Sequence, residues 1–222
     1  MARDKKDFDP NNTSKPTVFL SARVHPGESN ASFMIQGAID FLLQKNNKEA
    51  KLLRETFIFK IIPMLNPDGV VNGHYRTNFV GADLNRRWPN PSKLLHPTIY
   101  YTKKLLRMCH QDNQVLLFCD FHGHTRKRNV FMYGCVSPQT EVNQHKNNNL
   151  IRIVPYLLDQ KNKIFSFADC KFANEKEKDS TGRLVMFKEF GILNSYTIES
   201  TFYSHYHPRM GQRKKVNVED EL

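Results

Sequence analysis

Residues 18–29 read Val18-Phe19-Leu20-Ser21-Ala22-Arg23-Val24-His25-Pro26-Gly27-Glu28-Ser29, a short apolar run that gives way to polar, Pro- and Gly-bearing chain. A run of this length, from Val18 toward Ala22, reads as a buried strand. Ser29 then stands where an N-cap belongs, ahead of Phe33, Ile35, Ala38, Ile39, Leu42 and Leu43, whose spacing lines one face of a helix. Strand, loop and helix thus follow one another in order. Downstream, residues 56–64 are β-branched and aromatic and stop at the turn signal Asn66-Pro67-Asp68-Gly69, which makes a second strand. Residues 115–120 read as a third buried strand, 129–134 as a further short one and 195–199 as the last, with a helix on a basic face at 100–110. Residues 150–158 fit either state, and 164–172 read as extended. Continuous apolar strands alternating with helices predict an α/β domain whose sheet is covered on both faces, with ligands at the carboxyl ends of its strands.

A chain of 222 residues is long enough for one domain with a sizeable core. Its apolar content of 39% argues against wholesale disorder, and every apolar run is too short to span a bilayer as a helix. The 33 Lys and Arg against 22 Asp and Glu leave a net charge of +11, which favours a polyanionic partner without choosing among nucleic acid, membrane surface and acidic protein. No apolar stretch follows the basic N-terminus, so the chain reads as intracellular. Its scattered cysteines, Cys109, Cys119, Cys135 and Cys170, then read as reduced thiols. Residues 1–16 are a polar tail and 17–222 the folded unit.

Three strand ends carry side chains of the kind that bind metals: His25 and Glu28 after the first strand, His122 after the third and Glu199 in the last. Two imidazoles and a carboxylate make a zinc site with a position left for water, and a further carboxylate serves as general base. Spacing alone does not separate His122 from His124 in His122-Gly123-His124, whereas His74, His96, His110, His145, His205 and His207 read as surface residues. Residues 70–98 form a long loop rich in Gly, Asn and Pro, the kind that carries function. Within it, Asn85 and Arg86 offer an amide and a planar fork of donors suited to a substrate's terminal carboxylate. Trp88 reads as core or as a cover over the loop.

Taken in order, His25-Pro26-Gly27-Glu28, Asn66-Pro67-Asp68-Gly69-Val70, Asp83-Leu84-Asn85-Arg86, Asp120-Phe121-His122-Gly123-His124 and Ser195-Tyr196-Thr197-Ile198-Glu199-Ser200 resemble the zinc metallocarboxypeptidases. More narrowly they resemble the cytosolic carboxypeptidases that trim glutamate from tubulin, as does residues 126–134, over about residues 18–203. The resemblance implies a mixed, mostly parallel sheet with helices on both faces. It also implies one zinc per chain, bound by His25, Glu28 and His122 in preference to His124. By the same resemblance Glu199 is the general base and later proton donor, Arg76 polarises the scissile carbonyl, and Asn85 and Arg86 clamp the terminal carboxylate. Asp83 holds the other nitrogen of His25, and Arg183 lies where the pocket for the terminal side chain has its base, a cation there favouring Glu or Asp. Such a domain is expected to begin with further strands before Val18 and to end in a helix after Leu222, so 17–222 is expected to be part of it, truncated at both ends.

The function expected on these grounds is zinc-dependent removal of C-terminal or side-chain-linked glutamate from acidic tails such as tubulin's, in the cytoplasm, with no nucleic acid or membrane partner. A zinc amidase or deacylase acting on acyl amino acids would use Asn85 and Arg86 equally well. A non-catalytic basic module would use Lys103, Lys104, Arg107 and Arg126-Lys127-Arg128 but would leave the His and Glu motifs idle. Residues 70–130 hold ten Lys and Arg against three Asp, so the charge is concentrated in the stretch that also carries Arg76, Asn85, Arg86 and His122.

Overall fold

The computed structural model describes residues 15–139, 141–206 and 213–215; apart from Lys15 and Pro16, the expected polar tail lies outside them, as does His207. Strand β1 (Thr17–Ala22) leads through helix α1 (Ser29–Leu43) and helix α2 (Lys48–Thr56) to strand β2 (Ile58–Ile62). A short helix α3 (Pro67–Val71) and a long loop precede helix α4 (Pro97–Asp112), strand β3 (Val115–His124) and strand β4 (Val130–Gly134). Helix α5 (Gln144–Lys161), strand β5 (Lys171–Phe172), helix α6 (Gly182–Phe190) and strand β6 (Asn194–Thr201) complete the domain, and strands β7 (Ser204–Tyr206) and β8 (Arg213–Lys215) form a separate ribbon. No helix among the described residues is long and apolar enough to cross a membrane.

The six-stranded sheet has the order β2-β1-β3-β6-β4-β5 and is parallel throughout except where β4 meets β6. This is the mixed, mostly parallel sheet that the motifs imply. The chain leaves β1 toward β2 on one side and returns to place β3 on the other, so a crevice opens at the carboxyl ends of β1 and β3. Phe19 and Phe118 face α4 and α6, where they pack with Ile99, Leu106, Val185 and Met186. Leu20, Cys119, Met132 and Tyr196 face α1 and α5, where they meet Ala31, Ile35 and Ile151. Side chains alternate along a strand. Ser21, Asp120 and His122 therefore share the α4 and α6 face with Phe19 and Phe118.

Several local readings change. Ser29 is the first residue of α1, while the cap position belongs to Glu28, whose side chain caps nothing because it is drawn into the cluster described below. Asn66-Pro67-Asp68-Gly69 is a helix start: Asn66 accepts the Gly69 N–H at 3.0 Å, and proline at the first position has no N–H to lose. Helix α2, capped by Asn47 on the Ala50 N–H, absorbs Thr56 from the expected strand; it buries only Ala50, so little apolar pattern marks it. The ambiguous 150–158 stretch lies inside α5, where Pro155 interrupts the ladder of backbone hydrogen bonds, and most of the expected extended run at 164–172 is turn. Helix α6 has no expected counterpart. Its first five residues, Gly182–Met186, are all buried, so no polar face reveals its period. It ends where Gly191, at φ 67°, donates to Phe187 O and Ile192 donates to Met186 O. His96, expected at the surface, is buried at the start of α4 and accepts the Ser92 N–H.

All four cysteines are free thiols; Cys109, Cys119 and Cys135 are buried and Cys170 half-buried. Burial pushes the thiols of Cys135 and Cys170 up to about 11, that of Cys119 higher still, and also raises Cys109. At pH 8 a thiol of pKa about 11 is roughly one part in a thousand thiolate. The native protein should therefore react with Ellman's reagent at pH 8 far more slowly than the guanidinium-unfolded chain, in which all four thiols become available.

Candidate metal centre

The loop after β1 is held in place before any ligand is considered. Arg23, at φ 56°, turns the chain and donates from Nε to Pro26 O and from Nη1 to Ser32 Oγ, both at 2.7 Å. Gly27 donates its N–H to Tyr75 O at 2.7 Å, and a Cβ on Gly27 would lie 2.5 Å from the Tyr75 ring and 2.8 Å from its carbonyl oxygen. Only glycine lets the two loops approach this closely. The turn presents His25 and Glu28 toward the end of β3.

There the buried side chains of His25, Glu28 and His122 converge, one ligand-type atom from each lying within 4.8 Å of the others. His25 Nδ1 is 2.7 Å from Glu28 Oε1, and His122 Nδ1 is 3.0 Å from Glu28 Oε2. Burial opposes the charge on Glu28, but the charges and hydrogen bonds of His122 and His25 outweigh it and hold the carboxyl far below its usual range. Burial likewise opposes a proton on His122, yet Asp120 and Glu28 raise its pKa well above the ordinary imidazole value.

Each imidazole is gripped by its far nitrogen. His25 Nε2 lies 3.2 Å from Asp83 Oδ1, and His122 Nε2 lies 2.8 Å from Asp120 Oδ2. Asp120 is 1% exposed, and its other oxygen accepts the Ser21 hydroxyl at 2.8 Å across the β1–β3 register. With Nε2 committed to a carboxylate, Nδ1 of each ring is turned inward as a ligand. His124 cannot serve in this way, because its Nδ1 accepts the N–H groups of Arg126 and Lys127, both at 3.0 Å.

Glu199 stands directly beside His122 in the β3–β6 register. Its Oε2 is buried without a hydrogen-bond partner, one of three such side-chain atoms among the described residues. Burial is the main reason its pKa rises to about 8; His122 and Lys178 pull it down, while Glu28 and Asp120 push it up. Two Nδ1 donors and a carboxylate, with an orphaned carboxylate oxygen alongside, fit a zinc ion that keeps one position for water.

The loop between α3 and α4 supplies the remaining expected residues. Arg76 is 44% exposed and turned onto Asp83, donating from Nε and Nη2 to Oδ2 at 2.9 Å. Asp83 Oδ1 also accepts the Asn85 N–H, and burial of Asp83 is outweighed by His25, Arg76 and Arg86, which lower its pKa well below the usual range. Asn85 is buried: its Oδ1 accepts the N–H of Gly182 at 3.0 Å and its Nδ2 lies 3.5 Å from His122 Nε2. It therefore ties α6 to the cluster as well as facing it. Arg86, half-buried, donates to Asn85 O. Arg183 is 6% exposed in the first turn of α6, with Nη1 donating to Gly134 O and Ala173 O and its guanidinium 6.0 Å from the Tyr133 ring.

Two contributors escape the sequence reading. Asp120 stands two residues before His122 on a strand, and that same-face spacing is the signal that marks it. Asn30, buried in the first turn of α1, donates to Ser200 O at 2.8 Å and so fixes the helix beside Glu199; nothing local in the sequence marks it.

A model of the zinc carboxypeptidase family matches residues 3–206. Human cytosolic carboxypeptidase 1 is 48% identical over 199 residues, covering 85% of this chain and 16% of that protein. Mouse cytosolic carboxypeptidase 2 is 49% identical over 190 residues, covering 85% of this chain and 21% of that protein. The chain thus spans only about a fifth or less of the length of these relatives. Among solved structures, a metallo-carboxypeptidase from Burkholderia cenocepacia superposes with a TM-score of 0.75 at 26% identity, over 96% of this chain and 55% of the other.

Asp120→Asn keeps the shape but removes the charge that orients His122. Zinc affinity, measured by chelator competition, should fall about 10- to 100-fold. Ser21→Ala, which frees one Asp120 oxygen, should weaken it less.

Proposed function

Because the chain belongs to the zinc carboxypeptidase family, we propose that it is the catalytic portion of a cytoplasmic carboxypeptidase that removes C-terminal or side-chain-linked glutamate from acidic protein tails such as tubulin's. The observation that carries this reading is the convergence of His25, Glu28 and His122 beside the orphaned oxygen of Glu199. The cytosolic relatives, the net charge of +11 and the buried Arg183 guanidinium support the acidic substrate and the compartment.

Zinc held by His25, Glu28 and His122 would supply a polarised water and a Lewis-acidic centre for the scissile carbonyl. The chain's own residues do the rest. Glu199, whose buried Oε2 has no hydrogen-bond partner, would take the proton of the attacking water and return it to the leaving amine, the nearby cation of the bound metal favouring its ionised form. Arg76, released from Asp83, donates to the oxygen on which negative charge develops. Arg86 and the Asn85 amide receive the terminal carboxylate. The Arg183 donors not spent on Gly134 and Ala173 face the acidic side chain, beside Tyr133.

The zinc-loaded protein should release free glutamate from a polyglutamate peptide and leave its C-terminal amide intact. Glu199→Gln should lower kcat about 10²- to 10⁴-fold while metal content stays at one zinc per chain. Absence of release by the loaded protein, or undiminished release after Glu199→Gln, overturns the reading.

A further inference from the structure

A second cationic feature shares no lining residue with the metal cluster. Immediately after the loop that carries Asn85 and Arg86, residues 89–91 (Pro89, Asn90 and Pro91) form the floor of an open cleft of about 420 Å³, walled by Tyr100, Lys103, Lys104 and Arg107 of α4. Lys103 builds this cleft and has no capacity left for a ligand. Its buried ammonium donates to Trp88 O and Pro89 O, both at 2.8 Å, and pairs with Glu189 at 2.7 Å. Three acceptors satisfy its three donors.

Lys104 and Arg107 are different. Both are exposed, they lie one turn apart on α4, and among the described residues neither is paired with a carboxylate. Arg107 instead spreads over the Phe190 ring at 5.8 Å. No acidic side chain lines the cleft. Two cations three positions apart on a helix are neighbours, and carboxylates on alternate residues of an extended chain recur about every 7 Å, so one such chain meets both. A nucleic acid finds less here: single strands are held by successive aromatic faces, and half-buried Tyr100 is the one aromatic among the residues lining the cleft.

We propose that this cleft is a docking site for an extended acidic polypeptide segment, held by Lys104 and Arg107 over the Pro89–Pro91 floor, separate from the metal centre. It rests on the acidic-substrate reading only for the identity of the polypeptide. The cleft recognises runs of carboxylates without a free C-terminus, whereas the metal centre needs one.

The test uses the zinc-loaded 222-residue chain and a labelled decaglutamate peptide with an amidated C-terminus, followed by anisotropy at 50 mM and 200 mM salt. Lys104→Glu with Arg107→Glu should weaken binding about tenfold at low salt and less at high salt. The milder pair Lys104→Gln with Arg107→Gln should fall in between, and melting temperatures confirm folding. Lys45→Glu with Lys48→Glu, an equal change of charge at exposed positions elsewhere, should leave binding nearly unchanged. Cleavage of a short blocked Glu-Glu substrate should be the same in all variants. Equal weakening by the control pair overturns the site, as does duplex DNA binding as tightly as the peptide through the same two residues. Loss of Glu-Glu cleavage in the unmodified protein, with peptide binding and its dependence on Lys104 and Arg107 intact, would sink the hydrolase reading and leave the cleft standing.

Discussion

The carboxylate of Glu28 is the group on which the other parts of the centre depend. One of its oxygens meets His25 in the same turn, the other meets His122 at the far end of β3 and also accepts the Gly123 N–H at 2.9 Å. An anion this deeply buried is tolerable only while those partners remain, since stripping them away strands a desolvated charge at a cost of several kcal/mol. The loop after β1 and the end of β3 are therefore locked to one another. That lock also explains why α1 begins without a side-chain cap: the residue in the capping position is committed elsewhere.

The parallel sheet converts this local lock into an ordered site. Register places Ser21 beside Asp120 and His122 beside Glu199, so the support, the candidate ligand and the proposed proton carrier sit on three adjacent strands facing the same layer of helices. From the loop side, Asp83 joins His25 to Arg76, and Asn85 joins the N-terminus of α6 to the neighbourhood of His122. The result is two imidazoles held by carboxylates of unlike surroundings: Asp120 is buried and shares its charge with a hydroxyl, whereas Asp83 is partly open and shares its charge with an exposed arginine. The imidazole on β3 is thus held from within the core, whereas the imidazole after β1 is held through a carboxylate that Arg76 also grips.

What was legible in the chain follows from where the information is stored. Strands β1, β2 and β3 announce themselves because each carries a short apolar run bounded by polar residues or prolines, and the motifs at the strand ends are local strings. The His122 and His124 choice is not local: it is made by Arg126 and Lys127 backbone groups folding over His124 and by Asp120 gripping His122. Helix α6 hides because its opening residues are buried on every side, and α2 hides for the opposite reason, since it buries almost nothing. Arg183 is marked in the chain by the resemblance alone, because the backbone carbonyls that hold it, from Gly134 and Ala173, come from other parts of the sequence.

Gly27 and Tyr75 share one consequence of their close approach. The hydrogen bond from Gly27 to Tyr75 O and the ring lying against the bare Cα make the turn that carries His25 and Glu28 and the loop that carries Arg76 a single mechanical piece, although they are far apart in sequence. Position 27 is therefore restricted to glycine whatever side chain stands at 75. A smaller residue at 75 removes the ring without removing the carbonyl, so it does not license a side chain at 27; both loops must first be rebuilt together. Sequence drift in this part of the protein is accordingly expected to proceed by exchange of whole paired loops, not by independent single steps.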